Sequence, residues 1–334
     1  MKIAVDGMGG DFAPAEIVSG AVAGAREYGV GIALVGPEEA MRHELARHDC
    51  SGLDMDIVDA PEYLVEGEHP AYALRQKRNA SVLVATKLVR DGKAEAVVSA
   101  GPTGGVVAAA MFILGTLEGM SRPVVGGPFL GFAPETIMMD LGSNVDCQPY
   151  QLLDFAIVGS VYAEKMLGIT NPTVALLSVG AEEGKGNEQV QETYPLLQKC
   201  GLNFIGNVEG YDIPTGKANV IICDGFVGNI MVKFAESLGK TIGSWLEERL
   251  TGRLAERDVR QMAEEVVLAT NAADAHGGGP LWAVNGVACV AHGRSRAAEI
   301  TKTIGQARLA VEQDLVGSLR AELVAARRRL GIAS

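Results

Sequence analysis

The sequence predicts an α/β protein with a mostly parallel sheet covered by helices, and three observations carry that prediction. Short apolar runs alternate with helical apolar periodicity along almost the whole chain. Glycine-rich turns separate them, with 42 glycines in 334 residues. Aromatic residues make up only 5% of the chain, so Val, Ala, Leu and Ile must fill the core.

Taken in order, an apolar run ends at Asp6. Gly7-Met8-Gly9-Gly10-Asp11 and Pro14 then lead into an amphipathic helix over Ala15–Tyr28. Ile32–Val35 and Asp56–Ala60 read as strands, with a helix over Glu38–Arg47 between them. Ser81–Arg90 is a helix and Ala96–Ser99 a strand. The loop Ala100-Gly101-Pro102-Thr103-Gly104-Gly105 opens a helix to about Leu117. Thr136–Met139 is a strand ending at Asp140, and Gln151–Leu167 is a helix. Thr173–Ser178, Phe204–Val208, Val220–Cys223 and Val287–Ala291 complete the strands. A helix runs from Ile230. Trp245 to Ala269 reads as a charged helical hairpin bent near Thr251-Gly252. Residues 296–330 carry one apolar stripe from Ile300 to Leu330 and predict a single long C-terminal amphipathic helix. We expect one domain over residues 1–334, with two lobes. In such a fold ligands bind outside the carboxyl ends of the strands, where these loops lie.

Composition narrows the function. The net charge of −12 argues against a nucleic-acid partner. Five cysteines, an odd number and without a CxxC, point to a reducing cytosol rather than a disulfide framework. Asp6 comes too early for a secretory leader. The longest apolar run, Val106–Leu117, is too short to span a membrane.

Several motifs fail. The opening loop has Phe12 where a dinucleotide fingerprint needs glycine, and Asp6 and Asp11 would face a pyrophosphate. Gly180–Asn187 lacks one spacer residue of a P-loop and has Gly186 where Ser or Thr would hold magnesium. His43 and His48 are five apart, so on a helix they diverge by about 140° and do not form a zinc pair. There is no GxSxG. Cys289 reads as a buried thiol, and Arg327-Arg328-Arg329 as a solvated helix end.

Gly/Asn loops opening helices suit a small anion held by backbone N–H groups. Lys185 is the basic residue within these longer loops, between two glycines. Asn229 and Lys233 share one helix face, and Asn229 is equally a plain N-cap. Asn144 and Thr103 carry the same ambiguity. Asp6, Asp140 and Asp224 each end a strand and could cap loops, orient Lys185 or move protons. Arg75-Gln76-Lys77-Arg78 is a local basic cluster that could meet a phosphate or an acidic carrier.

Read together, VDGMGGDFAP (5–14), SAGPTG (99–104), LEGMSRP (117–123), MDLGSNVD (139–146), GSVY (159–162), GKGN (184–187), FIGNVEG (204–210), DGFVGN (224–229), GGGPLWAVNG (277–286) and HGRS (292–295) resemble the PlsX family of acyl-ACP:phosphate acyltransferases. The resemblance implies an α/β/α fold similar to phosphate acetyltransferase and isopropylmalate dehydrogenase. It implies transfer of a long-chain acyl group from acyl carrier protein (ACP) to inorganic phosphate in phospholipid synthesis. It further implies a homodimer, and a cytoplasmic protein with peripheral contact at the inner face of the membrane. No metal or organic cofactor is expected. The alternatives are a phosphotransacylase using short acyl-CoA, and a non-catalytic carrier- or membrane-binding scaffold.

Within this reading Lys185, Asn229, Asn144 and Asp6 are the candidate catalytic residues. Gly9, Gly10, Thr103, Gly104, Asn187, Lys233, Arg75, Lys77 and His292 are the candidate substrate-binding residues. Pro102 departs from the family pattern and removes one loop N–H. Ala80 and Tyr211 are further departures. The 245–269 hairpin sets four arginines against six acids, fewer basic charges than a lipid-facing segment favours.

Overall fold

The computed structural model describes residues 1–65, 67–68, 70–271 and 277–331. The strands, which the sequence reads as one series, divide between two sheets in two compact units. One unit comprises Met1–Pro123 and His276–Arg320, the other Val124–Ala275 and Ala321–Ser334.

The first unit holds β1 (Lys2–Asp6), β2 (Gly31–Gly36), β3 (Met55–Asp59), β4 (Ala96–Ser99), β10 (Gly278–Pro280) and β11 (Val287–Ala291). Their order is β10-β11-β4-β1-β2-β3, parallel except for β10. β1 is apolar between its end residues, over Ile3–Val5, and β2 carries no polar side chain, as befits a parallel sheet covered by helices on both faces. The chain runs outward from β1 to β2 and β3, and places β4 on the other side of β1. That reversal puts a crevice at the carboxyl ends of β1 and β4. Helix α1 (Ala15–Tyr28) buries Ile17, Val18, Ala21, Val22 and Ala25. Its Gly20 and Gly24 leave room for Ile300 and Ile304 of helix Ala297–Glu312.

The second unit holds β5 (Gly126–Pro128), β6 (Ile137–Met139), β7 (Thr173–Leu177), β8 (Asn203–Val208) and β9 (Val220–Ile222), ordered β5-β6-β9-β7-β8. Again the first strand in that order, β5, is antiparallel and the rest are parallel. Helix α6 (Pro149–Leu167) is buried along most of its length. Helices α8 (Gly225–Leu250) and α9 (Glu256–Thr270) form the expected hairpin, with the turn at Thr251–Gly252. Gly239 and Gly243 on α8 let Thr270 and Ala263 of α9 approach closely.

Three expectations are corrected. The C-terminal stripe is two helices, Ala297–Glu312 and Leu315–Leu330, broken at Gln313-Asp314, where Asp314 takes φ +45°. Apolar spacing continues from Val311 to Leu315 across the break, which hid it. The helix expected from Ile230 starts at Gly225, because Asp224 caps it by accepting from Val227 N at 2.8 Å. Arg327 is not at a solvated helix end. It is largely buried and pairs with Asp154 at 3.3 Å.

Candidate functional site

In the first unit the ends of β1, β4 and β11 are bonded into one cluster. Asp6 is buried at the end of β1. Its carboxylate accepts from Ser99 Oγ at 2.7 Å and Met8 N at 3.3 Å, and from the Ser81 side chain. Ser99 Oγ in turn accepts from Gly101 N at 3.1 Å. Burial pushes the Asp6 carboxyl up, against the pull of those hydrogen bonds. Of the roles open to Asp6, the bonds describe the loop-capping one.

Gly9 sits so close to Gly101, Asp6 and Ser99 that a Cβ would lie 2.6 Å from Gly101 N. Gly10 takes φ +107°, and Asp11 N donates to Gly293 O at 2.7 Å, which ties the opening loop to the turn after β11. Thr103 and Gly104 are exposed in the first turn of α5 (Thr103–Ile113), where backbone N–H groups lack helical partners. Pro102 is the residue before that helix, with extended ψ of 121°. His292 is exposed at the end of β11. Arg75 is exposed on α3 (Pro70–Gln76). Lys77 is committed to its own loop, with its Nζ 2.7 Å from the Glu68 carboxylate and 2.9 Å from Tyr63 O.

In the second unit the ends of β6, β7 and β9 carry the remaining candidates. Asp140 is fully buried and folds its loop around itself. Its carboxylate accepts from Gly142 N, Ser143 N, Ser143 Oγ, Asn144 N and Asn144 Nδ2, at 2.7–2.9 Å. Asn144 therefore turns its amide inward, and the loop-building reading fits it better than an oxyanion donor. Asn229 stands half-buried above this loop, against Gly142 at φ +137°. Gly228 precedes Asn229 in the first turn of α8, and a Cβ there would clash with the Asp140 carbonyl oxygen. Lys233 follows one turn later, exposed.

Lys185 is exposed on the loop after β7, and its stem lies over Gly180. It makes no ion pair among the described residues. Asn187 caps α7 (Glu188–Lys199) by accepting from Val190 N at 3.0 Å. Burial pushes the Cys289 thiol up to about 12 and raises that of Cys223 as well, so neither is a ready nucleophile.

The candidates thus fall into two groups, each at the carboxyl edge of one sheet. Asp6, Gly9, Gly10, Thr103, Gly104 and His292 form the first, and Asn144, Lys185, Asn187, Asn229 and Lys233 the second. Sequence reasoning missed Ser81, Ser99 and Ser143, whose hydroxyls bond Asp6 and Asp140. Ser99 bonds a residue 93 positions away and left no local signal. Ser143 lies three residues from Asp140, the spacing of a side chain that closes a turn.

Solved structures show the fold. The chain superposes on a phosphotransacetylase from Streptococcus pyogenes with a TM-score of 0.63 and 21% identity, over 93% of this chain and 94% of that one. It superposes on the EutD phosphotransacetylase from Staphylococcus aureus with a TM-score of 0.58 and 18% identity, over 92% and 94%. The fold is therefore that of the phosphotransacetylases.

Sequence comparison specifies the family. The fatty acid synthesis protein family model matches residues 1–317. A protein from Pelotomaculum thermopropionicum named phosphate acyltransferase is 45% identical over 326 residues, covering 97% of this chain and 95% of that one. A protein of the same name from Geobacter sulfurreducens is 42% identical over 333 residues, covering 97% and 96%. The chain belongs to this family, the one its loop motifs resemble.

Proposed function

We propose that the chain transfers a long-chain acyl group from the thioester of acyl carrier protein to inorganic phosphate, giving an acyl phosphate and free carrier for phospholipid synthesis. The near-full-length match to relatives named phosphate acyltransferases carries this reading. A phosphate oxygen attacks the thioester carbonyl carbon and the C–O bond forms. The carbonyl electron pair moves to oxygen. On collapse the C–S bond breaks, and the departing thiolate takes a proton from water. Phosphate is its own nucleophile, and a thiol of pKa about 8.5 leaves readily, so neither an activated Ser or Cys nor a strong general acid is required.

The protein's task is to bind a dianion, orient it and stabilise the oxyanion. We assign the positive charge to Lys185, with Lys233 beside Asn229, and the oxyanion hydrogen bond to Asn229. The amides of Gly10, Thr103 and Gly104, with His292, take anionic oxygens of the substrates. Asp6, Gly9, Asn144 and Asn187 hold the loops in place. Arg75 lies on a surface suited to the acidic carrier. Lys77 pairs with Glu68 and is left out of that surface.

The reading extends to a homodimer with peripheral contact at the inner face of the membrane. Support comes from an exposed apolar row on α8, where Phe226, Ile230, Phe234 and Leu238 recur every fourth residue. Among the described residues no helix is long and apolar enough to cross a membrane. The test is phosphate-dependent release of free thiol from palmitoyl-ACP, with acetyl-CoA as the competing donor. Equal amounts of free thiol and acyl phosphate from palmitoyl-ACP are expected. Release from acetyl-CoA alone would assign the chain to short-chain phosphotransacylation, and release from neither would refute the enzyme reading.

A further inference from the structure

The second unit contains a cavity of about 330 Å³ that the roles above leave unused. Its walls are apolar and drawn from four elements: Leu152 of α6, Leu176 of β7, Val190 of α7, and Val227 and Met231 of α8. Leu152 and Leu176 are core residues, so the cavity reaches the packed interior. Its polar lining is Ser178, Asn187, Gln189 and Asp224. Ser178 Oγ is buried without a hydrogen-bond partner among the described residues. Ser178 also lies beneath Gly186, directly beside Lys185 in the chain.

These features select a ligand. An apolar space of this size is within the range of ligand pockets. An apolar cavity of about 150 Å³ holds benzene, so on that scale this one takes a chain segment of about a dozen carbons. The Asp224 carboxylate at the lining disfavours an anion there. A hydroxyl without a partner favours an occupant with a polar atom at one end. We infer that this cavity receives the acyl chain with its carbonyl end at Ser178 Oγ, and that its depth sets chain-length preference.

The inference rests on the acyl-transfer reading, and two measurements separate its failure from the failure of that reading. The first is binding alone. Decanol, an uncharged ten-carbon chain, is titrated into the full chain by calorimetry. One-to-one binding to the wild type is expected, weakened at least tenfold in Met231→Trp and in Val227→Phe. Val227 is about one-third exposed, so its replacement does not depend on repacking the core. No binding to the wild type, or undiminished binding to both folded variants, overturns the cavity assignment whatever the turnover.

The second measurement is the ratio of kcat/KM for palmitoyl-ACP over octanoyl-ACP. It should fall at least tenfold in the variants while octanoyl turnover stays within about twofold. An unchanged ratio, or equal loss on both donors in folded variants, overturns the chain-length role. Absence of turnover in the wild type on either donor refutes the acyl-transfer reading itself and, with it, the acyl identity of the occupant.

Discussion

Asp6 ends β1 and Asp140 directly follows β6, in two different sheets, and each folds a glycine-containing loop, but they are bonded in opposite ways. Asp140 gathers its donors from the next four residues. Asp6 draws on Ser81 and Ser99, and its loop is tied to Gly293 near the other end of the chain. The second unit's loop is therefore self-contained, whereas the first unit's loop exists only once distant segments have assembled. The first offers backbone amides near an acidic residue, Asp11. The second offers Lys185 and Lys233 near an apolar cavity.

The largest effect should come from Gly228→Ala. Its Cβ would meet the Asp140 carbonyl, a backbone atom that cannot step aside. Overpacking typically costs about 1–3 kcal/mol, and a clash with backbone should exceed that range. Urea unfolding should show a loss above about 4 kcal/mol or no folded protein, and a near-neutral result would show that the loop yields.

Asp140→Asn comes next. The amide can no longer accept from two of the inward donors, and hydrogen bonds to a charged group are worth about 1.5–3 kcal/mol each. A loss of about 4 kcal/mol in urea unfolding is expected. A loss under about 1 kcal/mol would break the picture of a self-contained nest.

A third buried carboxylate, Asp154, sharpens the comparison through pH. Burial outweighs the Arg327 guanidinium and pushes its carboxyl up from the ordinary 3.8 to about 6. The folded chain therefore binds that proton more tightly than the unfolded one. The contribution to stability is present below about pH 4 and is lost as pH rises through 6. The loss is about 3 kcal/mol. The stability of wild type relative to Asp154→Asn, measured by urea unfolding from pH 4 to 7, should fall by that amount. A flat difference contradicts it.

The smallest effect is expected at Asp6→Asn. The Ser99 hydroxyl can still donate to the amide oxygen, and the neutral side chain escapes the cost of burying a charge. Stability should change by about 1 kcal/mol or less.

Much of the fold was legible because β1, β2, β4, β7 and β11 each contain an unbroken apolar run of three or more residues and their helices repeat at 3.6 residues. The two antiparallel strands, β5 and β10, were not. Both read Gly-Gly-Pro, which has no β-forming side chain and which an edge strand tolerates. The break at Asp314 was masked by apolar spacing that continues through it. Arg327 looked solvated because its partner, Asp154, is 173 residues away on a buried face of α6. The site was legible as loops but not as bonds. Glycine, asparagine and lysine at strand ends marked Lys185 and Asn229. Which carboxylate each loop wraps around, and the cavity beside Ser178, depend on tertiary neighbours.

Lys185 is the residue proposed to supply the charge for phosphate. The direct measurement is phosphate-dependent acyl-phosphate formation from palmitoyl-ACP by wild type, Lys185→Ala and Lys185→Arg. Lys185→Ala should fall about 10²–10³-fold, the loss seen on removing one stabilising donor from an active site, with an unchanged unfolding midpoint. Lys185→Arg should recover part of that loss. Wild-type turnover by a folded Lys185→Ala protein would contradict the claim.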